Sequence, residues 1–370
     1  MSRLPTSRSI DNILTKSLVN LPVGAIVVTI LVFILKVTPP QVSGLTTRQK
    51  LARLDVLGEL FLFPSIICLL LAMQWGGSTY AWSNPRIIAL FVLFGVLLIA
   101  FILVQIFRQE SATIPKSVIT NRSIIAAMWF AATLGSAMML FVYYLPIWFQ
   151  AIKGDSAVKS GIHTLPMVLA LVVGSIGAGR SVAAVGYYTP FAIACAVVMP
   201  IGAGLFVTFT TTTKASMWIG TQIIFGLGLG LGMQQTNLAA QTVLRRADVP
   251  TGIALVMFCN KMGGAIFVSV GQNLLNSNLV KLLPEAVPTL NTTTIINTGA
   301  TELRKIVPVE QLPKLLLAYN AAIRQVFICG TILTCLTVIG AAGLEWRSVK
   351  GKQGPVVKPI ASEEKAGEKV

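Results

Sequence analysis

Residues 87–107 read IIALFVLFGVLLIAFILVQIF, an apolar run in which Gln105 is the one polar side chain. A helix needs about 20 such residues to cross the roughly 30 Å hydrocarbon core of a bilayer, and this run is long enough. Its apolar character is continuous and does not alternate with a period of two, which points to a helix and away from a barrel strand. Runs of the same kind lie at 20–35, 57–74, 124–149, 161–179, 186–209, 217–244, 252–275 and 322–344. The expected fold class is all-α: a polytopic membrane protein of about nine transmembrane helices. Composition agrees, since the 370 residues are 54% hydrophobic and 11% charged, against roughly 25% charged in ordinary soluble domains.

The charge balance is +16, from 29 Lys and Arg against 13 Asp and Glu. These basic residues sit between long apolar runs rather than on one exposed face, so nucleic-acid binding is not expected. Cytoplasmic loops are enriched in Lys and Arg. One alternating set of loops holds Lys36, Arg48, Lys50 and Arg53, then Arg108, Lys116 and Arg122, then Arg180, then Arg245 and Arg246. Arg347, Lys350, Lys352 and Lys358 follow the last run, whereas the opposite short loops hold only Arg86, Lys153, Lys159 and Lys214. The richer set is expected in the cytoplasm, together with the C-terminus. Nine crossings ending inside must begin outside, yet Arg3, Arg8 and Lys16 face one acid, Asp11, in the first stretch. The conflict leads us to expect a missing N-terminal portion; the alternative is a reverse signal anchor with an unusual flank. Of two glycosylation sequons, Asn291-Thr292-Thr293 falls in the long outer segment 276–320 and Asn121-Arg122-Ser123 in a cytoplasmic loop, so Asn291 is the glycosylation candidate.

Six separated stretches, in order, match one family. They are 69–77 (LLLAMQWGG), 143–150 (YYLPIWFQ), 186–191 (GYYTPF), 230–235 (GLGMQQ), 247–252 (ADVPTG) and 345–350 (EWRSVK). The chain resembles, over about 20–350, the fungal major facilitator superfamily pumps of the fourteen-helix drug:proton antiporter branch, similar to EmrB/QacA proteins and toxin efflux pumps. The resemblance implies a major facilitator fold lacking most of its N-terminal half. Residues 1–19 would be an atypical start, 20–107 an orphan sixth helix and central helix pair, 121–346 a C-terminal six-helix half, and 347–370 a disordered cytoplasmic tail. The family's proton-handling acids and arginine would lie in the absent half, so the proton-coupling residues are unknown.

Proton coupling needs an ionisable group in the membrane. The one acid in a span, Glu59, lies beside Asp55 near a helix start and reads as an interfacial carboxylate. Lys261 is the one basic residue deep in a span, where insertion scales put the cost at roughly 3 kcal/mol. It reads as a substrate or ion contact, as a structural pairing, or as a drifted position; related pumps carry Gln-Thr at Asn260-Lys261. Gln234, Gln235 and Asn237 follow a run of Gly226, Gly228, Gly230 and Gly232 expected to pack closely. These amides either line a substrate path or bond across helices, as does Gln222. Tyr143, Tyr144 and Trp148 are expected in an aromatic belt, with an aromatic-lined pocket as the alternative. His163, the one histidine, has no second histidine or nearby acid cluster, so no metal site is expected. The glycines of a turn at 179–186 match the spacing of the superfamily's cytoplasmic loop motif, but Ala183 and Ala184 replace its acid and base. The five cysteines fall in spans and are expected to be reduced packing residues.

The leading expectation is a plasma-membrane efflux transporter of small amphipathic compounds such as toxins or drugs, driven by the proton gradient. Its partners would be membrane lipids, the small-molecule substrate, and a second polypeptide or a dimer supplying the other half, with no cofactor. The alternatives are a transporter fragment without independent activity and, less favoured, a membrane-embedded enzyme. The spans carry no His cluster, paired intramembrane acids or Gly-x-Ser-x-Gly elbow, so no catalytic residue is assigned.

Overall fold

The computed structural model of the chain describes residues 20–34, 55–77, 79–108, 113–287 and 307–350. These are nearly all helical and fall into two compact units, 1–54 and 55–370. In the first, α1 (Asn20–Ile34) spans 15 residues, about 22 Å of rise and short of a full crossing by itself. The basic residues flanking it, including Arg3, Arg8, Lys16 and Lys36, lie outside the described residues, as do Asn291 and most of the tail.

The second unit begins with a helical hairpin, α2 (Val56–Trp75) and α3 (Pro85–Phe107). In these helices only Gly58, Ser65, Cys68, Ala72, Ile87 and Phe101 are buried, and the remaining apolar rows face outward. An apolar surface of that extent requires hydrocarbon around it. After a short turn, α4 (Lys116–Ile119), come α5 (Arg122–Trp148), a π-turn at Phe149–Lys153 closed by Gly154 at φ 72°, α6 (Ala157–His163), α7 (Leu165–Val185) and α8 (Thr189–Val207). The chain continues through α9 (Ala215–Gly232), α10 (Gln235–Val243), α11 (Val249–Ala286) and α12 (Leu312–Gly343). Among the described residues, eight helical segments are long and apolar enough to cross a membrane. The chain is thus a multi-pass helical membrane protein.

The α5–α12 region packs as linked pairs: α5 against α11 and α12, α9 between α7 and α8, and α8 against α12. Phe141 of α5 is the hub, with ring centroids 4.9 Å from Phe206, 4.6 Å from Phe225 and 5.6 Å from Phe327. The glycine run packs as expected. A Cβ on Gly226 or Gly230 would meet the Met167 or Leu171 carbonyl of α7, and one on Gly228 the Met199 backbone of α8.

Several expected boundaries are corrected. α11 does not stop at 275; it continues to Ala286 because Leu275, Leu279 and Leu283, spaced by one turn, stay buried beneath it. Residues 312–319, placed by the apolar runs in the outer segment, form instead the first turns of α12, burying Leu315, Ala318 and Tyr319. The turn expected at 179–186 is the last part of α7, which ends only where Gly186 adopts φ 88°.

Beyond α12, residues 345–350 fold back as a strap across the α7–α8 turn. Tyr188 Oη and Thr189 Oγ1 donate to the Glu345 carbonyl at 2.8 and 3.0 Å, and the Val349 amide donates to the Gly186 carbonyl at 2.8 Å. Burial, with the Glu345 charge adding to it, pushes the Tyr188 phenol up to about 12, so it remains a donor. Lys350 Nζ donates to the Ala184 carbonyl at 2.6 Å. A cation therefore stands at the negative end of the α7 dipole, beside the position where the loop motif lost its base.

Asp55 joins the hairpin to the rest of this end. Its carboxylate caps α2 by accepting from the Gly58 amide at 2.8 Å, and it also accepts from Thr113 Oγ1 at 2.9 Å, from the Thr113 amide and from Gln105 Nε2. Burial pushes this carboxyl upward, but the four donors outweigh it and hold it below the ordinary 3.8. A lowered folded-state pKa gives stabilisation that is present above the unfolded value and lost as pH falls through the folded one. Asp55→Ala should therefore cost about 1–2 kcal/mol at neutral pH. Thermal unfolding followed from pH 7 down to 3 should show the wild type and the variant converging.

Candidate substrate site

The one interruption in the α9–α10 span lies where the glycine run ends. Glycine is a poor helix former, and with four of them behind it the helix is interrupted by a turn at Met233–Gln234, with Gln234 at φ −99°, ψ −9°, before α10 resumes. Broken helices are the recurring frame of transporter binding sites, because unwound backbone is tolerated where it lines a cavity. A cleft of about 130 Å³ opens here, lined by Ala131, Leu134 and Met138 of α5, Met233, Gln234, Thr236 and Asn237 at the break, and Val256, Met257, Asn260 and Lys261 of α11.

Four of the eight residues expected to bind substrate thus come together: Gln234, Asn237, Asn260 and Lys261. Asn237 Nδ2 donates to Gln234 Oε1 at 3.2 Å across the break, and Asn237 Oδ1 is left buried without a hydrogen-bond partner. Asn260 Nδ2 donates to the Ala131 carbonyl at 2.9 Å, and Gly135 is what lets that side chain approach α5. Lys261 lies about 18 Å along α11 from Val249, deeper than its run had suggested, because the helix begins earlier. Its side chain is exposed at the cleft mouth, and no carboxylate pairs with it among the described residues.

The other four lie elsewhere. Tyr144 is fully buried and its hydroxyl donates to the Val268 carbonyl at 3.0 Å, which ties α5 to α11. Trp148, also fully buried, donates to Asn320 Oδ1 at 2.8 Å. The belt expected of these two is corrected: both rings turn into the core. Of the three aromatics, Tyr143 alone is half exposed, with its ring edge-on to Tyr144 at 5.1 Å. Gln222 Nε2 donates to the His163 carbonyl at 2.9 Å and Gln235 Nε2 to the Leu231 carbonyl at 2.7 Å. Both amides are buried, and both bond to helix backbone.

Two features escaped sequence reasoning. Asp155, buried at the end of the molecule opposite the strap, lies 2.7 Å from His163 Nδ1 and 2.9 Å from Lys159 Nζ. Sequence reasoning looked for an acid cluster beside His163 and passed over this single one, because Asp155 lies in the turn before α6, outside the apolar runs. Met138, Met233 and Met257 in the cleft wall were also missed, because a methionine in a membrane span does not stand out from other apolar residues.

No protein-family model matches the chain. It is 48% identical, over 93% of its own length and 64% of the relative's, to the MFS-type efflux pump MFS1 of Arthroderma benhamiae. It is likewise 48% identical to the efflux pump roqT of Penicillium rubens, over 90% of this chain and 62% of that one. The chain spans a little under two thirds of the length of these curated relatives. Among solved structures, a bacterial homologue of the human lysosomal transporter Spinster, inward-facing and unoccupied, matches with a TM-score of 0.49 and 13% identity, over 79% of this chain and 66% of that one. The chain is therefore a multi-pass helical membrane protein similar, over nearly all of its length, to fungal MFS-type efflux pumps.

Proposed function

We propose that this chain belongs to the major facilitator superfamily, in its fourteen-helix drug:proton antiporter branch, and works in the efflux of small amphipathic compounds. The observation that carries the reading is the cleft at the α9–α10 break, where three amides and a lysine with no carboxylate partner among the described residues meet within membrane-spanning helices. Such groups are costly in hydrocarbon and become useful when they face a solute path. The similarity to efflux pumps supplies the direction of transport. In this reading α2 and α3 are the central pair and α5–α12 one six-helix half, which rocks against the other half of the transporter. The Gln222, Gln235, Tyr143 and Tyr144 side chains then support the site rather than contact the solute. The protein operates in the plasma membrane, driven by the proton gradient.

Reconstitution tests this. Liposomes holding the chain together with an N-terminal six-helix half from an MFS-type relative should expel a small amphipathic dye under an imposed pH gradient, and a protonophore should stop it. The chain alone should show little or none. Absence of gradient-dependent efflux from the combined proteoliposomes would sink the reading.

The proposed orientation places residues 345–350 in the cytoplasm and Asn291 outside. Asn121 is moreover occupied in capping α5, its side chain accepting from the Ser123 amide at 3.0 Å. Expression in a eukaryotic host should give an endoglycosidase-sensitive gel shift that Asn291→Gln removes and Asn121→Asp does not. A shift abolished by Asn121→Asp alone would invert the topology.

A further inference from the structure

We propose that the cleft at the α9–α10 break selects solutes by charge: it takes the head of an amphiphile carrying an anionic oxygen, a carboxylate or an acidic phenolate, with Lys261 as the counter-ion. This rests on the reading of that cleft as the substrate site.

Three observations converge on it. First, Lys261 is a cation without a carboxylate partner among the described residues, at a depth where an uncompensated ammonium is strongly disfavoured. A solute anion supplies the missing charge. Second, the neighbouring polar atoms match such a head. Gln234 and Lys261 offer donors, while the buried Asn237 Oδ1 stands without a donor and can accept from a hydroxyl beside the anionic oxygen. Third, the volume of about 130 Å³ is well below the roughly 300–1,000 Å³ of a pocket that encloses a drug-sized ligand. It seats a compact head and leaves the apolar body outside, against Met138, Met233 and Met257. Methionine side chains adapt to many shapes, so the head is selected by charge and the body is not.

The test uses the purified full chain in phosphatidylcholine nanodiscs and two fluorescent probes of nearly equal shape, hydroxynaphthoate and uncharged hydroxynaphthamide. The acid should bind about tenfold more tightly than the amide, the ratio that about 1.4 kcal/mol of extra interaction provides. Lys261→Gln should remove that preference. Lys261→Arg should retain it, as should Lys214→Gln, which removes a cation at the start of α9 outside the cleft. Equal binding of acid and amide to the wild type overturns the charge inference and leaves the small-molecule site standing. So does a preference that survives Lys261→Gln or that falls equally in Lys214→Gln. If neither probe binds, both the inference and the reading beneath it fall. Replacing about a third of the lipid by phosphatidylserine distinguishes the source of the anion. If acid binding weakens about tenfold, a lipid headgroup occupies the cleft and the solute assignment is overturned.

Discussion

Gly230→Val should leave little or no folded protein. A Cβ at Gly230 would stand 2.4 Å from the Leu171 carbonyl oxygen and 2.8 Å from the Ser175 nitrogen, and one turn earlier Gly226 meets the Met167 carbonyl at 2.3 Å. The obstructing atoms are backbone, so no side-chain rotation relieves them, and α7 and α9 must part. Overpacking a close contact costs about 1–3 kcal/mol and more when the neighbour cannot yield. Parting these helices also forfeits the Ser175 hydroxyl bond to the Gly230 carbonyl at 3.3 Å and the packing around it. Gly177→Val is the control, because a Cβ on that residue of α7 meets nothing within 4 Å. The readout is the monodisperse fraction on size-exclusion chromatography after solubilisation. A monodisperse Gly230→Val protein of wild-type thermal stability would refute the account.

Phe141→Ala should produce the largest loss among side-chain truncations. Phe141 is fully buried and touches rings from three other helices, Phe206 of α8, Phe225 of α9 and Phe327 of α12, while Gly330 lies directly under its ring edge. Removing the ring leaves a void that four helices frame and that none can fill without shifting. Phe→Ala changes in such cores cost about 3–5 kcal/mol, which for a protein of this size corresponds to roughly a 5 °C fall in Tm. Phe141→Leu keeps most of the volume and should lose less. Equal losses from the two variants would mean that ring stacking, and not the void, sets the cost.

The spans themselves were legible because their signal is bulk apolarity over about 20 residues, which α3 carries almost without interruption. What lay inside each helix was not. In a membrane protein the lipid-facing side is as apolar as the core, so periodicity does not separate the buried Tyr144 from the half-exposed Tyr143 beside it. Helix ends were missed where polar residues continue a helix past the apolar run, as Asn276 and Ser277 do between the buried Leu275 and Leu279 of α11. The candidate site was half legible. Lys261 and the amides stood out because polar groups are rare in such runs, but only the packing of α5, α10 and α11 separates Gln234 and Asn237, which line the cleft, from Gln222 and Gln235, which bond to backbone.

The strap has a mechanical consequence. Because Glu345, Val349 and Lys350 bond to Tyr188, Thr189, Gly186 and Ala184, the ends of α7, α8 and α12 are cross-linked at one point, and tilting any of them there loads the other two. Shear among these three is suppressed at that end, whereas α9 and α10, interrupted at Met233 and Gln234, form the compliant element. In the proposed transport reading, the deformation that rocking demands would fall on the helix that carries the polar cleft, with the clamped trio as the jaw against which it bends.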